Sequence, residues 1–157
     1  MHSTDTRIQL RPATPDDALA LAGLLRSVGW FPRFEQGALE EHAKGLRSVL
    51  AATGPHLHLL AMDGHDMLLG YCAIHWLPIA FLQGTEAYVS ELFIAPQARG
   101  LGVGSQLLDA AVDAARTKGC ARIWLINNRE RESYARGFYE KHGWHEQASM
   151  ARFVLPL

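Results

Sequence analysis

Cysteine is scarce in this chain. Cys72 and Cys120 are far apart among 157 residues, with neither the density of a secreted disulfide scaffold nor the paired spacing of a zinc knuckle, so a reducing, cytoplasmic location is expected. An excess of one charge is also missing. Fifteen Lys plus Arg stand against 16 Asp plus Glu, a formal net charge of −1, which excludes a polycationic surface and leaves no nucleic-acid or membrane partner expected. The first residues, Met1-His2-Ser3-Thr4-Asp5, lack the cationic and apolar stretches of an export signal. Long apolar runs are few. Residues 67–85 form 19 positions without Asp, Glu, Lys or Arg, but Gly70, His75, Pro78, Gln83 and Gly84 interrupt them as they would a buried strand and a loop, not a lipid-facing helix. Of eight histidines, only His56/His58 and His142/His145 are close pairs, without acidic or cysteine partners at ligand spacing, so no metal is expected.

What is present fits an ordinary globular chain: 48% hydrophobic and 20% charged residues, a composition and length that predict a single domain over 1–157. Alternation predicts a short edge strand over 7–11. Thr14, Pro15 and Asp17 form a helix start of the capping-box type, followed by the stripe Ala18, Leu21, Ala22, Leu25 and Val28. A second helix is predicted over 34–51. Strands follow at 58–62, 68–76 and 87–94, with a hairpin turn at 63–66. A helix from Gly104 carries Leu107, Leu108, Ala111, Val112 and Ala115 and closes at Lys118 and Gly119. A strand over 122–127, a helix over 133–142 and a strand over 150–155 complete the order.

The most informative stretch runs from Glu91 to Leu108. A strand enters a turn with glycines at 100, 102 and 104 that opens directly into the amphipathic helix. Glycines let the backbone approach a ligand, and the first helical amides point outward at the positive end of the dipole, which makes a phosphate cradle. No Gly-Lys-Ser/Thr is present for a Walker site, and the spacing Gly-x-Gly-x-Gly departs from the dinucleotide fingerprint.

These residues resemble the GNAT family of N-acetyltransferases. Arg99, Gly102 and Gly104 meet its Arg/Gln-x-x-Gly-x-Gly/Ala signature, and residues 135–144, Ala-Arg-Gly-Phe-Tyr-Glu-Lys-His-Gly-Trp, look like its last helix and exit, with Trp144 in place of the usual Phe. Leu10-Arg11-Pro12-Ala13 is similar to its first strand. The resemblance implies an α/β fold with a mixed, mostly antiparallel central sheet and helices on both faces. It also implies acetyl-CoA as co-substrate, direct transfer to a small-molecule or peptide amine, and a homodimer as a common assembly; a non-catalytic acyl-CoA-binding or regulatory module on the same fold is the alternative.

The cofactor contacts implied are the strand residues Leu92, Phe93 and Ile94, then Arg99, Gly100, Leu101, Gly102, Val103, Gly104 and Ser105. The family often carries Asn three residues before the Ala of the last helix. Here that position is Glu132, so Asn127, Asn128 and Ser133 are the alternatives for the pantetheine contact. Glu91, an acid inside the apolar run 89–94, is either the base that takes the amine's proton or half of a structural ion pair. Tyr139 matches the family's tyrosine, which donates to the leaving thiolate. The Cys residues read as small buried hydrophobes. Trp30 and Phe31, with Phe34, either pack as core or form an aromatic wall of the acceptor pocket.

Overall fold

In the computed structural model, residues 7–157 are described; the export-signal reading of Met1 to Asp5 lies outside them. The chain divides into two compact units, one ending at Leu125 and the other Ile126–Leu157.

The first unit is built on a five-stranded sheet in the order β1-β2-β3-β4-β5: β1 Gln9–Pro12, β2 His56–Met62, β3 Leu68–Ile79, β4 Gly84–Ile94 and β5 Ile123–Leu125. The first four pair antiparallel, and β5 joins β4 in parallel. The predicted turn at 63–66 forms, with Asp63 Oδ1 accepting the His65 and Met67 amides. Residues 67–85 become a mostly buried strand and its turn. Among the described residues no helix is long and apolar enough to cross a membrane.

Helices cover both faces. A 3-10 turn, Pro15–Asp17, starts helix α1, Ala18–Val28, and the Thr14 amide donates to Asp17, which also binds Arg11 of β1. Every predicted stripe residue of α1 is buried. Helix α4, Val103–Thr117, lies on the opposite face, and one glycine sets its depth. A Cβ on Gly70 of β3 would stand 2.9 Å from both Leu107 Cδ1 and Val103 Cγ1, and 3.0 Å from Ile94 Cδ1. The absent side chain lets the first turns of α4 rest directly on the sheet.

Several elements differ from expectation. The helix predicted over 34–51 is two, α2 Pro32–Glu35 and α3 Leu39–Ala51. Gly37 at φ +82° breaks the run, and Arg26 of α1 binds the carbonyls of Phe34 at 2.6 Å and Gly37 at 2.7 Å, which rewards the non-helical path. In the second unit the helix predicted over 133–142 is likewise split, into α5 Glu132–Ala135 and α6 Phe138–Lys141, at Gly137 with φ +65°. The strand over 122–127 shortens to three residues. Residues 150–155 form no strand: a mostly apolar run becomes a strand only where a neighbouring strand pairs with it, and Phe153 is 93% exposed.

Candidate functional site

Strand β4 outruns its parallel neighbour. It pairs with β5 only at Ala87, Tyr88 and Val89, then continues to Ile94. The Ala95 amide bonds the Leu69 carbonyl on the β3 side, so by strand alternation Leu92 and Ile94 turn their backbone groups toward the edge that β5 no longer covers. Just beyond it, a short 3-10 turn, Pro96–Ala98, leads to Gly100 and Gly102, both left-handed at φ +78° and +80°. Neither has a heavy atom within 4 Å of the place a Cβ would occupy. The first hydrogen bond of α4 joins the Gln106 amide to the Gly102 carbonyl, so the first-turn amides ahead of it are the donors that helix geometry directs to outside acceptors. Within the predicted cradle, the Leu101 amide instead bonds the Ala98 carbonyl, and the Arg99 side chain is exposed.

Glu91 is half-buried, and among the described residues none of the ion pairs includes it. Burial raises its pKa above the usual carboxylate range, and a hydrogen bond with Tyr71 opposes that rise. The ion pair on β4 belongs to another acid. Glu86, 5% exposed, accepts from Arg122 Nε at 2.6 Å and Trp124 Nε1 at 3.0 Å. Two residues past Glu91, Phe93 meets Phe31 at 5.1 Å and Trp30 at 6.0 Å between ring centroids, edge to face. Phe31 packs against the core, whereas Trp30 is 37% exposed. The Cys72 thiol, buried, is pushed up to about 12, mainly by desolvation and then by Glu91; it is a poor nucleophile at neutral pH.

In the second unit, Asn127 Oδ1 accepts from Ser133 Oγ at 3.2 Å. Asn127 Nδ2 is the one buried side-chain nitrogen or oxygen without a hydrogen-bond partner among the described residues. Asn128 serves its own turn by accepting the Glu130 amide. Tyr139 is half-buried on α6, against Phe138 and Trp144. Arg129 and Tyr134 both donate to Glu146. Among the described residues no group of three or more His, Cys, Asp or Glu is placed to hold a metal.

Sequence reading missed Glu86, Tyr71 and His58. Glu86 stood just before the strand predicted over 87–94, and the observed strand starts earlier, at Gly84. The other two join the site only through strand register, which single-strand patterning does not contain.

The chain matches the model of the acetyltransferase (GNAT) family over residues 25–144. It is 37% identical over 100 residues to a mycothiol acetyltransferase of Saccharopolyspora erythraea, covering 64% of this chain and 31% of that protein; the chain thus spans about a third of that relative's length. It is 24% identical to a thialysine N-epsilon-acetyltransferase of Bos taurus over 155 residues, 88% of this chain and 89% of the relative. A solved structure titled a transcriptional regulator from Bacillus halodurans has the same fold, with a TM-score of 0.81 at 22% identity, over 96% of this chain and 100% of the other.

Proposed function

The chain belongs to the acetyltransferase (GNAT) family, and from that premise we propose that it transfers an acetyl group from acetyl-CoA directly to the amine of a small molecule or peptide. The observation that carries this reading is Glu91, a half-buried carboxylate with no ion-pair partner among the described residues, on the strand that runs into the glycine turn. The family match spans residues 25–144, which supports taking the chain as one acetyltransferase domain.

The residues present fit acetyl-CoA, which supplies the acyl group as a thioester. The first-turn amides of α4, with Gly100 to Ser105 and Arg99, suit the pyrophosphate. The open edge at Leu92 to Ile94 suits the amide-bearing arm.

An alkyl amine has a pKa of about 10 and is mostly protonated at neutral pH, so it must lose a proton before attack. Glu91 accepts that proton. Burial holds its pKa above the usual range, closer to the working pH and so better suited to a base. Backbone N–H groups on the open edge at Leu92 and Ile94 stabilise the charge that develops on the carbonyl oxygen. The role of donor to the departing sulfur is assigned to Tyr139 by the family resemblance alone. Direct attack needs no thiolate, in keeping with the high pKa of Cys72. Trp30 and Phe31 form one wall for the acceptor.

The test is a panel of amines, comprising a polyamine, an amino acid, an aminoglycoside and a peptide with a free α-amine, incubated with acetyl-CoA while thiol release and acetylated product are followed. Transfer that depends on one class of amine is expected. A folded protein that binds acetyl-CoA but acetylates none of them would be a binding module instead.

A further inference from the structure

Strand register places His58 of β2 opposite Ala73 of β3, and Ala73 opposite Glu91 of β4. The three residues form one row across the sheet, with the small side chain of Ala73 in the middle. Tyr71, two residues before Ala73 and on the same face, bridges this row. Its hydroxyl lies 2.8 Å from His58 Nδ1, and Glu91 acts on it from the other side of the row as a charged neighbour. Tyr71 is 2% exposed, while His58 is only half-buried, its ring 5.3 Å from that of His56; His56 in turn is 6.0 Å from His75, whose Nε2 is 2.7 Å from Ser90 Oγ. A file of polar groups therefore runs from the half-buried carboxylate to a half-buried imidazole cluster.

We propose that Glu91, Tyr71 and His58 form a proton path that delivers the amine's proton from Glu91 to the histidines of β2 and β3. The proposal rests on the reading of Glu91 as the base. Once Glu91 has accepted the proton, its O–H donates to Tyr71 Oη as the Tyr71 proton passes to His58 Nδ1. The carboxylate and the phenol are thereby regenerated and His58 becomes an imidazolium. His58 then loses its Nε2 proton to water, and the path resets when solvent exchange returns the neutral Nε2–H tautomer. One proton crosses from ammonium to solvent, and no electrons move.

The environment narrows the energetic step. Burial holds Glu91 above the usual carboxylate range and holds His58 below the usual imidazole range, with His56 and His75 lowering His58 further, so donor and acceptor are brought closer together. Around Tyr71 the titratable neighbours are His58, Glu91 and Cys72. From the helix side, Arg26, the cation of α1, is engaged by the Phe34 and Gly37 carbonyls, and Asp17 before α1 is paired with Arg11. Tyr71 and His58 are positioning residues in this scheme, since they act through Glu91.

Tyr71→Phe keeps the ring in its core site, and His58→Gln keeps a polar side chain. Each is expected to lower kcat at neutral pH about tenfold, less than the roughly 100-fold or more of losing the general base itself, with recovery as imidazole buffer is raised. Tyr71→Phe also removes a bond that stabilises the Glu91 carboxylate, so the acid limb of its kcat/KM profile moves to higher pH. In the ligand-free protein, the NMR titration of His58 is expected to shift in both Tyr71→Phe and Glu91→Gln. Wild-type transfer by Glu91→Gln would remove the base reading and the path with it. Loss of transfer in Glu91→Gln, with wild-type rate, pH profile and buffer independence in Tyr71→Phe and His58→Gln, would overturn the path alone. A lower melting temperature as the sole change in those two variants would overturn it as well.

Discussion

Glu86 and Glu91 are carboxylates of the same strand, and of the two only Glu86 has an ion-pair partner among the described residues, Arg122 at 2.6 Å. Glu86 ties β4 to the start of β5, with Trp124 as a second donor. Glu91 lies beyond the last β4–β5 pair, at Val89, and faces the Tyr71 hydroxyl instead. One acid holds the strands together up to the point where they part, and the other is past it.

The two acids therefore respond oppositely to removal of charge. Burial raises the folded-state pKa of Glu91, so its stabilising contribution exists below the unfolded value of about 4.3 and is lost as pH rises through the folded value. At pH 7 the ionised form opposes folding, and Glu91→Gln should melt at or above the wild-type temperature while losing transfer about 100-fold or more. Glu86→Gln should cost about 1–3 kcal/mol, because a buried amide cannot satisfy both the Arg122 and Trp124 donors. Thermal melts at pH 7 check both. Destabilisation of Glu91→Gln to the same degree as Glu86→Gln would return Glu91 to a structural role.

Gly70→Ala tests the seating of α4. The added methyl meets side-chain atoms of Val103 and Leu107, both essentially unexposed, so overpacking should cost about 1–3 kcal/mol. Urea denaturation should show a lower midpoint with an unchanged slope. A midpoint equal to wild type would mean that α4 is free to lift from the sheet.

Gly102→Val acts differently, since the space around Gly102 is open and the backbone is left-handed. The variant should fold with a penalty of about 1–2 kcal/mol from φ alone and should weaken acetyl-CoA binding at least about tenfold, because its side chain occupies the cradle. Calorimetry with acetyl-CoA reads this directly, and unchanged affinity in a folded variant would move the site elsewhere.

Trp30 and Phe31 separate wall from core. Both touch Phe93, but Trp30 is the more exposed. Trp30→Ala should raise acceptor KM several-fold with little change in acetyl-CoA affinity or stability, whereas Phe31→Ala should also lower the melting temperature by several degrees, from about 3 kcal/mol of lost packing. Unchanged acceptor kinetics in both variants would make them core alone.

The parts of this fold legible in the sequence are those whose signal is local. The Gly100–Gly104 turn and the stripes of α1 and α4 were readable because each needs only neighbouring residues and one period. Gly37 and Gly137 break their helices through a backbone conformation, and an isolated glycine in an apolar stripe does not announce that. The strand expected over 150–155 is a mostly apolar run, but no partner strand is paired with it. At the site, Glu91 was readable as a misplaced charge. Its distinction from Glu86 was not, because Arg122 and Trp124 lie 36 and 38 positions away. Tyr71 and His58 looked like ordinary strand residues until register aligned three strands.

The most direct measurement is the single-turnover rate of acetyl transfer to an accepted amine across pH, for wild type and Glu91→Gln. Wild type should rise through the raised pKa of Glu91 and then level. Glu91→Gln should be slow at neutral pH, climb about tenfold per pH unit, and approach wild type near the amine's own pKa of about 10, where free amine no longer needs a base. Superimposable profiles for the two proteins would contradict the assignment of Glu91 as the base.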